Sequence, residues 1–200
     1  FAENGAEITC GAFWIDNTGS YTGEGNVTVN IWDSTLVSSG NLKSNSDSYV
    51  YIDFYNSVVT FNDYDGYGAS TIDSKTYLDV DGSKSDVTFK SLVNNGTIEI
   101  YDDGLLTVTA DLTANEGAAV NVDGGKLIVD GVTTVSKNLF ISGTSTVKIN
   151  NLQGRATVLD DTVLNDSYIK STTNGTTRVL GDLTLNGGFS AAYFMTAGTT

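Results

Sequence analysis

The 200-residue sequence has no proline, no histidine, one cysteine and one methionine. Without histidine, neither a Ser-His-Asp nor a Cys-His arrangement can be built. With Cys10 as the one soft ligand, the usual zinc sites are excluded and no internal disulfide can form. Basic residues are scarce: 10 Lys plus Arg stand against 24 Asp plus Glu, for a net charge of −14. Such a polyanion is repelled by nucleic acid and by anionic membranes, so no nucleic-acid partner is expected. No apolar run approaches the roughly 20 residues that cross a bilayer, so the chain is not expected to span one. The phosphate-binding pattern GxxxxGK[ST] does not occur. The chain begins at Phe1, as expected of one processed or excised from something longer.

What is present favours strands and turns. There are 27 Thr, 19 Asp, 18 Asn and 22 Gly, a composition poor in helix formers. Hydrophobic residues make up 40%, with 8 Phe, 10 Tyr and 2 Trp, enough to build a core rather than leave the chain disordered. Short runs with period-2 alternation recur throughout, each bounded by Gly, Asn, Asp or Ser: NVTVNIWD, YVYIDFYN, GTIEIYDD, AVNVDGG and NLFISG are examples. No window of helical length shows a 3.6-residue period.

These runs align with one another. With Ile31, Phe54, Val80, Ile100, Val122, Ile141, Leu159 and Leu180 as anchors, the repeat averages about 21 residues. Two positions after each anchor stand Asp33, Asn56, Gly82, Asp102, Gly124, Gly143, Asp161 and Asp182, all of them turn formers. Five positions after, Leu36, Val59, Leu105, Leu127, Leu164 and Leu185 are apolar. Ser85 and Thr146 break that pattern, and each is followed closely by a valine, Val87 and Val147. The unit is a strand, a tight turn, a second strand and a variable return. A unit this short cannot bury its apolar face alone, but stacked coils pair every backbone group with the coil above and align like side chains in columns. Gly and Asn supply the positive φ of the corners, and the absence of proline spares the ladder its hydrogen bonds. The expected fold is all-β: a single-stranded parallel β-helix, or β-solenoid, with about 21 residues per coil. About nine coils would make a rod on the order of 40 Å long. The same strand and turn spacing also suits a β-sandwich of antiparallel hairpins. One solenoid domain over 1–200 is expected, with 1–25 and 188–200 as atypical caps or interface segments.

VDGGKLIVDGV (Val122 to Val132), IYDDGLLTVTADL (Ile100 to Leu112) and ISGTSTVKINNL (Ile141 to Leu152) resemble coils of bacterial autotransporter passenger domains and related adhesins. The resemblance spans roughly Ile31 to Gly187. It implies a right-handed parallel β-helix, secretion, display on the bacterial surface, and adhesion or self-association. It also implies a C-terminal membrane barrel, for which these 200 residues supply no counterpart.

No catalytic residue is expected. Asp160-Asp161, Asp102-Asp103, Asp63/Asp65 and Asp79/Asp81 could pair as glycosidase carboxylates, yet the scattered basic residues and short returns offer little to grip a substrate. Asp63-Tyr64-Asp65-Gly66 and Asp79-Val80-Asp81-Gly82 resemble fragments of calcium loops, but neither continues to a correctly spaced Glu, and turn chemistry accounts for them equally well. No cofactor is expected, and calcium is the weak alternative. The candidate ligand-binding residues are aromatic: Trp32, Tyr49, Tyr51 and Tyr55. Alternation puts Val50, Ile52 and Phe54 on one face and Tyr49, Tyr51, Asp53 and Tyr55 on the other, with Trp32 and Tyr55 in one outward column. Such a ladder either stacks sugars or meets a protein, or else stabilises the sheet from outside. The functional expectation is a non-enzymatic, extracellular structural or adhesive module of a bacterial cell surface. Its partner is itself, in a homo-oligomer or filament, or a surface glycan or protein. A phage tail fibre and a carbohydrate-active enzyme are the alternatives.

Overall fold

A computed structural model of the chain describes residues 2–17, 25–63, 68–171 and 176–186. Among them there is no helix, and so none long and apolar enough to cross a membrane. The strands are β1 (Glu7–Cys10), β2 (Phe13–Asn17), β3 (Val27–Trp32), β4 (Thr35–Ser38), β5 (Leu42–Ser46), β6 (Val50–Tyr55), β7 (Val58–Phe61), β8 (Ser70–Ile72), β9 (Thr76–Asp81) and β10 (Asp86–Phe89). They continue with β11 (Leu92–Asn94), β12 (Thr97–Tyr101), β13 (Leu105–Val108), β14 (Leu112–Ala114), β15 (Ala119–Asp123), β16 (Lys126–Asn165), β17 (Tyr168–Ser171), β18 (Thr176–Val179) and β19 (Leu183–Asn186).

From β1 to β15 every strand pairs in parallel with the strand three further along: β1 with β4, β2 with β5, β3 with β6, and onward to β12 with β15. Three strands therefore make one coil and define three faces. The long run β16 bends around all three, with Lys126–Val129 on β13, Thr133–Val135 on β14 and Leu139–Ser142 on β15. The chain is a parallel β-solenoid of about 7 turns with about 21 residues per turn. That is fewer than the nine obtained by dividing the whole length by the repeat. The two longest offsets along the anchor column are Ile31 to Phe54 and Phe54 to Val80.

The anchor column is a physical column. Ile31, Phe54, Val80, Ile100, Val122 and Ile141 are paired rung to rung and all are buried. Leu180 is a correction: Val179 is the residue paired with Leu159, and Leu180, 58% exposed, has already left the strand. Seven of the eight predicted turn residues have positive φ, from 42° at Asp161 to 87° at Gly82; Asp182 does not. A second correction falls in the next strand, where Leu106 rather than Leu105 continues the inward column Leu36, Val59, Val87, Leu106, Leu127. Both Asp102 and Asp103 are left-handed at that corner, and the longer turn delays the strand by one residue. Val87 and Val147 are both fully buried, as the slipped turns at Ser85 and Thr146 anticipate. The expected variable return contains a third strand in each coil: β2, β5, β8, β11 and β14. Segment 188–200, expected as a cap, lies outside the described residues, as do Phe1 and 18–24 of the N-terminal one.

The interior is a narrow aliphatic column with one aromatic insert. Phe61 and Phe89 lie in register and stack at 4.9 Å with 13° between their planes; Phe54 and Phe13 close on Phe61 from two sides. The buried corner serines are satisfied by repetition. Ser57 Oγ lies 2.8 Å from the carbonyl oxygen of Ile31 and accepts the Ser34 N–H at 3.1 Å. One coil on, Ser85 Oγ accepts the Ser57 N–H at 3.3 Å and lies 3.0 Å from the carbonyl oxygen of Phe54. Thr162 repeats the contact on Ile141. Where coils approach most closely there is room only for glycine: a Cβ at Gly96 would lie 2.2 Å from the carbonyl oxygen of Thr76.

Ser57→Ala leaves the buried Ser34 N–H without an acceptor and is expected to cost about 1–3 kcal/mol. Phe89→Ala removes one of the two stacked rings of the aromatic insert and is expected to cost about 3–5 kcal/mol. Urea unfolding checks both; a loss below about 0.5 kcal/mol in either variant would contradict the packing described.

Candidate functional site

The third face, formed by β3, β6, β9, β12, β15 and the Leu139–Ser142 part of β16, points its inward residues into the core and three columns outward. The first outward column runs Thr28, Tyr51, Tyr77, Thr97. The middle one runs Asn30, Asp53, Asp79, Glu99, Asn121, Phe140. The third, beside the corner, runs Trp32, Tyr55, Asp81, Tyr101.

All four expected aromatic residues come together here, in two clusters. Tyr51 stacks on Tyr77 at 5.3 Å and 16°, and Tyr49 leans on both at 6.4 and 6.1 Å. Trp32 meets Tyr55 edge to face at 6.5 Å. The Trp32 indole N–H donates to Asp53 at 2.6 Å, which ties the third column to the middle one. The shared ring faces of Tyr51 and Tyr77 cover one another, so the sugar-stacking expectation does not hold for those faces. Tyr49, Tyr51, Tyr55 and Phe140 nevertheless remain 37–49% exposed. Tyr64 and Tyr67, which lie close to this ladder in sequence, fall outside the described residues.

The carboxylates are the less expected part. Asp53, Asp79 and Glu99 stand on successive rungs about 4.8 Å apart. Burial pushes Asp79 up to about 6, reinforced by Glu99, Asp53 and Asp81. Asp53 is raised by burial, offset by the Trp32 hydrogen bond. Asp81 is raised by burial and then by Asp102, and the Tyr101 hydroxyl is raised by burial and by the same carboxylates. One Asp81 oxygen is buried without a hydrogen-bond partner. Among the described residues the one cation–carboxylate ion pair, Lys126 with Asp103 at 3.1 Å, lies at a corner and not on this face. Further along the axis, Glu99, Tyr101, Asn121, Asp123, Phe140 and Ser142 line an open groove of about 590 Å³, in which the Asn121 amide donates to Glu99 at 3.3 Å.

The remaining acidic candidates are corner residues. Asp102, Asp103 and Asp161 adopt positive φ, and Asp161 accepts the Asp182 N–H. Asp79 and Asp81 sit on a strand on either side of buried Val80, not in a loop. Asp63 is a buried corner that accepts from Ser70 Oγ and the Ser91 N–H; Asp65 and Gly66 of its motif lie outside the described residues. Among the described residues no three His, Cys, Asp or Glu side chains gather as a cation site. Tyr77, Tyr101, Phe140 and the acidic column were missed by sequence reasoning. The signal was the residue preceding each anchor, which reads Asn, Asp, Asp, Glu, Asn, Phe from Ile31 to Ile141.

The geometry defines an all-β parallel solenoid with one aromatic and acidic face. No family model matches the sequence, and neither a curated protein nor a solved structure matches it.

A carboxyl whose folded value lies above its ordinary 3.8 contributes stability that is complete below that value and lost as pH rises through about 6. The protein is therefore expected to melt higher near pH 5 than near pH 8, by about 1 kcal/mol after solvent screening. Asp79→Asn is expected to flatten that dependence; thermal melts across the pH range check it, and an unchanged slope in the variant would reject the assignment.

Proposed function

We propose that the chain is a non-enzymatic structural and adhesive module of a bacterial cell surface. It works outside the cell, and its third face holds a surface glycan. The observation that carries this is a half-exposed aromatic patch on one face, Tyr49, Tyr51 and Tyr55 on one coil with Tyr51 in register with Tyr77 on the next, beside an open groove. Large aromatic side chains left half-exposed in one patch mark a contact surface more often than a scattered apolar residue does. The absence of histidine and the use of Asp102, Asp103 and Asp161 as corners favour binding without turnover. The resemblance of its coils to autotransporter passengers points to display on a cell surface.

The double variant Tyr51→Ser/Tyr55→Ser tests the proposal. Losing the stacks lowers stability by about 0.5–1.5 kcal/mol per aromatic pair beyond the area lost. Adhesion to glycan-coated surfaces is expected to fall by at least about tenfold while the protein remains folded. Unchanged adhesion with a lowered melting temperature would assign the tyrosines to the sheet alone. Release of reducing sugar from a polysaccharide would overturn the non-enzymatic part.

A further inference from the structure

Resting on the adhesive reading, we infer that the glycan held by the third face bears free amines: a chain of amino sugars lying along the solenoid axis over Asp53, Asp79 and Glu99. The feature is an open sheet face with four half-exposed aromatic residues, and charge complementarity chooses its occupant. Three carboxylates rise through the middle of that face, one per rung, with Tyr51 and Tyr55 beside Asp53, Tyr77 and Asp81 beside Asp79, and Thr97 and Tyr101 beside Glu99. None has a Lys or Arg partner among the described residues. An acidic glycan would be repelled by this row. A neutral glycan would strip water from carboxylates that already repel one another and return no charge to them. An ammonium brings three donors and a compensating charge to each oxygen it covers, and it is attracted to neighbouring aromatic rings. The polymer class follows from the repetition. A surface that presents the same chemistry on successive rungs fits a ligand with a regular repeat, whereas an extended peptide would add to a free strand edge, and the strands of this face are paired on both sides.

Calorimetry on the whole chain compares glucosamine oligomers bearing free amines with the same oligomers N-acetylated. The free-amine oligomer is expected to bind at least about tenfold more tightly, and Asp79→Asn/Glu99→Gln to abolish that advantage. Both substitutions are isosteric and relieve repulsion, so this variant is expected to melt no lower than the parent. The control Asp86→Asn/Asp130→Asn removes the same charge from exposed positions off this face and is expected to change affinity by less than about twofold. Equal binding of both oligomers would overturn the amine inference and leave glycan adhesion standing. Equal weakening by the control variant would reduce the effect to general polyanion attraction and overturn the inference. An oligolysine that binds as tightly, with the same dependence on Asp79, would replace the glycan by a basic peptide. Binding of neither oligomer, nor of any other glycan on an array, would overturn this inference and the adhesive reading together.

Discussion

Everything in this molecule depends on in-register parallel stacking at about 4.8 Å. Once β3, β6, β9, β12 and β15 are laid one on another, any side chain has its counterpart directly above and below. A favourable choice is thereby repeated, and so is an unfavourable one. Phe61 over Phe89 gains a stacked pair where separated phenylalanines would gain only burial. Ser34, Ser57 and Ser85 show the same rule for polar groups: the hydroxyls of Ser57 and Ser85 each serve the serine amide of the coil before, so a buried corner carries its polar groups without water.

The corners make the stacking possible and also made it legible. A chain that must turn within two or three residues at every edge needs left-handed backbone there, and Asp, Asn and Gly tolerate it best. Asp33, Asn56, Gly82, Asp102, Gly124, Gly143 and Asp161 all adopt it, which is why so simple a pattern located the first edge of the solenoid and the inward column before it. Two things stayed hidden for physical reasons. The strands of the second face are three to five residues long, and several of their inward positions are polar: Ser44, Ser46, Ser70 and Asn94 are buried because they bond to corner backbone or to one another's neighbours, not because they are apolar. Hydrophobic alternation cannot register such a strand. The acidic column was hidden by distance, since Asp53, Asp79 and Glu99 are 20 or more residues apart and become neighbours only when the coil length is known at each step.

The same rule gives the acidic column its meaning. Everywhere else the stack brings together groups that attract or fill space. On the third face it brings together Asp53, Asp79 and Glu99, and burial, reinforced by the neighbouring carboxylates, raises Asp79 to about 6. Asn30 and Asn121 flank the three carboxylates in the same column, so the fold accepts an uncharged amide there without altering the register. Asparagine at the middle rungs would have given the sheet the same shape without the repulsion. Local choices that work against the fold concentrate where something other than folding is being served.

The aromatic residues sharpen that argument, because they limit what they can do by themselves. Tyr51 and Tyr77 spend a ring face on each other, and Trp32 commits its N–H to Asp53. Taken alone, these contacts are those of a ladder that braces the outside of a sheet. A brace, however, does not require charge between its rails. If stability were the whole purpose of this face, the tyrosines would be flanking threonine or valine, as Thr60, Thr88 and Thr107 do in one outward column of the first face. Aromatic columns that stiffen the sheet, with a row of unneutralised carboxylates fixed between them, form a surface that is rigid, regular and short of positive charge. Each of those properties lowers the cost of ordering a ligand upon it or raises the gain from supplying what it lacks.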